Sequence, residues 1–157
     1  MTAFAAKLRS AARMDAASWA LVGEACVALV AARARSLLPF RALARQLGGL
    51  VPPPTPAPAA ELAPDPALTE AQRTAIRRIR WAIGAVAPVL PFRTLCLQQA
   101  IAARTMLERR GIGSVLHLGV DQSRPDGLQA HAWLDAGGLG VTGYPVDPTL
   151  DEVGRFV

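Results

Sequence analysis

The 157-residue chain is short of side chains that do chemistry. It has two histidines, two cysteines, one tyrosine, and a single lysine among its 17 basic residues. It has no Cys-x-x-Cys pair, no His-Glu-x-x-His and no dense set of carboxylates, so a metal centre is not supported. No glycine-rich loop follows a strand-like segment. Gly111 and Gly113 precede one instead, which reads as a turn and not as a phosphate cradle. No cofactor is expected. No arginine cluster is interleaved with aromatics, so the net charge of +5 does not point to nucleic acid. Lys7, Arg9 and Arg13 are not followed by an apolar stretch with a small-residue cleavage site, so no secretory signal is expected. The chain therefore reads as cytoplasmic, with both thiols reduced. The least polar run, residues 16–32, is interrupted by Gly23 and Glu24 and falls short of the ~20 apolar residues that span a bilayer. It reads as a buried helix, and a peripheral membrane contact stays open.

What remains is one domain long enough to bury a core, rich in alanine and arginine. Asp15 can cap a helix in which Trp19, Val22, Cys26, Leu29 and Val30 recur at helical spacing. On that stripe Cys26 is core filler. Pro39 should break the helix, and a short second one is expected over 40–47, ended by Gly48 and Gly49. Residues 51–68 are crowded with prolines, which exclude helix and central strand and make the segment a linker. The segments then divide as 1–50, a helical part packing on the rest; 51–68, the linker; and 69–157, the core.

Thr69 and Gln72 match a capping box. Ile76, Ile79, Ile83 and Val86 give the following helix one apolar face, with Trp81 at its flank. Pro88 and Pro91 end it. The next helix is expected from Cys96 to about Arg110, with Gly111 beyond its end. The period then changes to two. Leu116, Leu118 and Val120 alternate with Val115, His117 and Gly119. Leu128, Ala130, Ala132 and Leu134 alternate with Gln129, His131, Trp133 and Asp135. A turn at Ala136-Gly137-Gly138 leads into a hairpin partner over 139–146. Helices first and an antiparallel sheet after define an α+β chain.

Cys96 stands where a helix begins. Unpaired amides and the helix dipole there stabilise a thiolate and can bind an oxyanion. His131 can take the thiol proton. A third group should orient the histidine, and Asp126, Asp135 and Asp147 are all candidates on spacing. Arg93, Gln129 and Trp133 are the candidate cleft or oxyanion residues. His117 reads as a satisfied surface residue.

The order Cys96, then His131-Ala132-Trp133, then Asp147-Pro148-Thr149 resembles the transglutaminase-like branch of the papain-type cysteine enzymes. That resemblance implies a nucleophile helix packed on a small antiparallel sheet, and selects Asp147 as the third group. Residues 90–97, Leu107 to Ile112, His117 to Val120 and Ala130 to Leu134 resemble more narrowly the stand-alone leader peptidases of lasso-peptide biosynthesis. Such enzymes cut the leader from a ribosomally made precursor, together with a small leader-recognition protein and an ATP-dependent cyclase. The resemblance implies that Cys96 attacks the carbonyl at the leader–core junction, that His131 activates the thiol, and that Asp147 orients His131. Some relatives place an acid near the position of Gly143, where this chain has none. An amide transferase, or a non-catalytic partner with the same fold, would share these motifs.

Overall fold

The computed structural model describes residues 14–53, 65–121 and 129–157. Asp126 and the middle of the proline-rich segment lie outside them. Among the described residues four helices precede four strands. They are α1 (Ala16–Arg35), α2 (Phe40–Gln46), α3 (Glu70–Val86), extended by a 3-10 turn Ala87–Val89, and α4 (Cys96–Glu108). The strands are β1 (Val115–Asp121), β2 (Gln129–Ala136), β3 (Leu139–Thr142) and β4 (Asp151–Phe156). The expected α+β architecture, with a helical N-terminal half and a small antiparallel sheet, is what the chain adopts.

Local chemistry sets the helix ends. The Asp15 carboxylate accepts from Ser18 N at 2.9 Å and starts α1. At α3 the box closes in both directions: Thr69 Oγ1 accepts from Gln72 N at 3.2 Å, and Gln72 Oε1 accepts from Thr69 N at 2.9 Å. Ile76, Ile79, Ile83 and Val86 are buried, as their spacing requires. Trp81 does not flank the core but stands exposed.

The buried face of α1 is not the one its larger side chains suggested. Leu21, Ala25, Ala28, Leu29 and Ala32 face inward, while Trp19 and Val30 are exposed. A face built on alanine lets another helix approach closely, which a tryptophan stripe does not. In α2 likewise Leu43 is buried and Phe40 is exposed.

The sheet order is β3-β2-β1-β4. β4 was not apparent in the sequence. It pairs antiparallel to β1, and Val51 bridges Arg155 at its outer edge with backbone bonds of 2.8 and 2.9 Å. β3 is shorter than expected and ends at Thr142, where Gly143 takes φ 76°. Leu116, Leu134, Ala136 and Phe156 face the helices and join Ile101, Met106 and Leu107 of α4 in one core. Arg104 fastens α4 to the last strand: its guanidinium donates to Phe156 O at 3.0 Å and Val157 O at 3.1 Å while pairing with Glu108 at 2.9 Å. Because β3 and β4 are opposite edges, residues 143–150 must cross the sheet. They do so on the face away from the helices, with Tyr144 over Gly140 and Gly143 against Trp133.

Candidate active site

Cys96 is the first residue of α4 and is half-buried. Leu95, at the N-cap, has no side-chain oxygen to offer the first-turn amides. Gln98 Oε1 accepts from Leu95 N at 3.0 Å, and buried Gln98 Nε2 donates to Ser36 Oγ at 2.9 Å, which ties this turn to the end of α1. Gln99 Nε2 donates to Thr94 Oγ1 at 3.2 Å. The thiol therefore sits on a braced helix start whose amides no side chain caps, an arrangement suited to an oxyanion. A cleft of about 730 Å³, which Cys96 itself does not line, is bounded by Leu90, Pro91, Phe92, Arg93, Thr94 and Gln99, among others. Arg93 lines this cleft.

His131 is the third residue of β2 and is half-buried. Its Nε2 lies 2.8 Å from the carbonyl oxygen of Gly143. A carbonyl only accepts, so Nε2 carries the proton, and in the neutral ring Nδ1 is the basic nitrogen. A pocket of about 210 Å³ is lined by Asp121, Gln129, His131, Pro145, Asp147 and Leu150. It brings together three of the residues singled out in the sequence, Gln129, His131 and Asp147. Asp147 shapes its own turn, with Oδ1 accepting from Thr149 N at 3.0 Å and from Thr149 Oγ1 at 2.8 Å.

Cys96 lines neither of these two pockets. Strand alternation turns His131 to the face shared with His117 and Trp133, whereas α4 packs on the face of Leu134 and Ala136. Among the described residues no hydrogen bond joins Cys96 to His131. Trp133 packs between the two histidine rings. It is buried, with its ring stacked on His117 at 5.2 Å and on His131 at 6.0 Å between centroids.

Asp135 is engaged elsewhere. Its Oδ2 lies 3.0 Å from His117 Nε2, and Glu152 Oε1 lies 2.8 Å from His117 Nδ1. Arg155 in turn pairs with Glu152 at 2.7 Å. His117 is buried, not a surface residue. Spacing could not reveal this network, because its members come from three strands. Burial opposes charge on His117, but its two carboxylate partners outweigh burial and hold its pKa above the ordinary 6.5. A raised native pKa adds stability that is complete below about pH 6.5 and is lost as pH rises through the native value. The melting temperature of the native chain should therefore fall on going from pH 6 to alkaline pH. His117→Gln should flatten that profile and lower its acid end, which calorimetry across pH will show.

The residues that do chemistry thus stand on the start of a central helix and on the strands of an antiparallel sheet behind it, an arrangement of the cysteine-peptidase and transferase class. The pattern of the transglutaminase-like superfamily matches residues 27–151, and the chain belongs to that superfamily. No curated protein and no solved structure matches it.

Proposed function

We propose that this chain is a cysteine peptidase that removes the leader segment from a ribosomally made lasso-peptide precursor. The observation that carries the reading is Cys96 at an uncapped helix start in a transglutaminase-like chain, just after the cleft-lining residues Arg93 and Thr94. In the proposed reaction the Cys96 thiolate attacks the carbonyl at the leader–core junction, and the first-turn amides of α4 hold the oxyanion. His131 takes the thiol proton through Nδ1 and returns it to the leaving amine. Water then hydrolyses the thioester, and the acid formed is the leader. Asp147, on the wall of the same pocket, supplies a carboxylate that favours the imidazolium. The reaction requires the first turn of α4 and the start of β2 to close on each other. A leader-recognition protein that presents the precursor would supply the binding energy for this, and a cytoplasmic ATP-dependent cyclase would take the product.

The test is incubation with a lasso-peptide precursor and a leader-recognition protein, read by mass spectrometry. A single cut at the leader–core junction is expected. An intact precursor in the presence of the partner would refute the proposal.

The lack of a hydrogen bond between Cys96 and His131 among the described residues favours a second reading, a non-catalytic member of a peptide-maturation complex. Iodoacetamide near neutral pH separates the two. An activated Cys96 is alkylated far faster than Cys26, whereas a structural pair of thiols reacts slowly at both positions.

A further inference from the structure

The outward face of α1 is apolar along its whole length. Trp19, Gly23, Val27, Val30 and Ala34 follow one another at steps of three and four residues, all exposed, and Leu37 continues the line just past the helix end. At 3.6 residues per turn they span a stripe about 80° wide. No charged residue lies within it. Trp19 is 52% exposed, Val27 64% and Leu37 76%, with Phe40 beside them at 52%. The neighbouring α3 shows what a solvated helix of this chain looks like: its inner face is isoleucine, and its outer face carries Arg77, Arg78 and Arg80. A helix apolar on both faces needs cover on both, and the core covers only one face of α1.

The charges around the stripe say what the cover is. Arg33 and Arg35 flank it on opposite sides, and Arg41 and Arg45 follow on α2; all four are exposed. No aspartate or glutamate occurs between Glu24 and Glu61. Glu24 itself is held by Arg110 at 2.7 Å. Among the described residues none of the four arginines has a carboxylate partner. Two copies of this chain packed on the stripe would set arginine rims together with no acid to pair them. A tryptophan, an exposed apolar corner at Leu37 to Phe40 and a rim of arginines without carboxylate partners, of which Arg35 also donates to Thr105 Oγ1 at 3.4 Å, suit the boundary between acyl chains and anionic headgroups.

We propose that α1 and the α1–α2 corner form a membrane-docking surface, lying in the plane of an anionic lipid bilayer. Docking uses the outer face only and leaves the Leu21–Ala32 face in the core. It does not depend on the peptidase reading, since none of these residues belongs to the Cys96 or His131 groups.

The full chain should float with phosphatidylcholine vesicles that contain phosphatidylglycerol and remain unbound with phosphatidylcholine alone. Raising the salt to about 1 M, where screening is nearly complete, should release it. Brominated lipids should quench a fluorescence component that Trp19→Phe removes. Val27→Glu with Leu37→Glu should lower partitioning at least about tenfold with an unchanged circular dichroism spectrum, because both sites are exposed. No flotation, or flotation indifferent to these two substitutions, overturns the proposal. So does a dimer in sedimentation that the same substitutions dissociate, since a second copy then covers the stripe. A partner protein that binds the stripe in place of vesicles overturns it equally.

Discussion

Cys96→Ala is expected to fold normally and to lose precursor processing. The side chain is half-buried, and its sulfur makes no hydrogen bond among the described residues, so the stability change should stay below about 1 kcal/mol. The chemical loss should be at least about 10³-fold in processing rate, the scale set by removing the nucleophile of a covalent mechanism. Cys26→Ala is the internal control. Cys26 packs against the core from α1, and its loss should cost stability and not rate. Time courses with purified precursor, followed by mass spectrometry, give both results at once. Processing that survives Cys96→Ala sinks the peptidase proposal. The lack of a Cys96–His131 hydrogen bond among the described residues would then describe the functional state, and not one awaiting a partner.

How much of this was legible depends on whether the signal is local. The start of α3 and its isoleucine face could be read directly, because a capping box and a 3.6-residue period involve only neighbours in sequence. The buried face of α1 could not. Its residues are apolar on every side, so period does not choose between faces, and the choice falls to how closely α4 can approach Ala25, Ala28 and Ala32. β4 was hidden for the opposite reason. In Asp151-Glu-Val-Gly-Arg-Phe each face mixes charged and uncharged residues, and only pairing with β1 makes a strand of it. In the site, Cys96, His131 and Asp147 stand out as letters in motifs. The partner of the His131 ring does not, because every residue has a carbonyl. Its one trace in the sequence is that position 143 is glycine.

That glycine is the basis of the second large effect. Gly143→Ala should destabilise the chain by about 2–4 kcal/mol. Two causes add. At φ 76° the backbone lies in the left-handed region, which costs a side-chain-bearing residue of order 1 kcal/mol or more. A Cβ there would also stand 2.5 Å from Ala132 O and 2.8 Å from Trp133 Cβ. The first of these is backbone of a central strand and has nowhere to go. Relief must come from moving residue 143, and its carbonyl leaves His131 Nε2 as it moves. The substitution should therefore be felt twice: in a melting temperature lowered by several degrees or more, and in loss of the Nε2-protonated tautomer of His131, read from ring nitrogen shifts by NMR. Gly23→Ala is the matching control. Gly23 lies inside α1 with open space around the added Cβ, so alanine there should stabilise by about 0.5–1 kcal/mol. Equal effects at the two positions would mean that glycine 143 is only a flexible joint. Opposite signs would mean that the turn after β3 is built to hold one carbonyl against one imidazole.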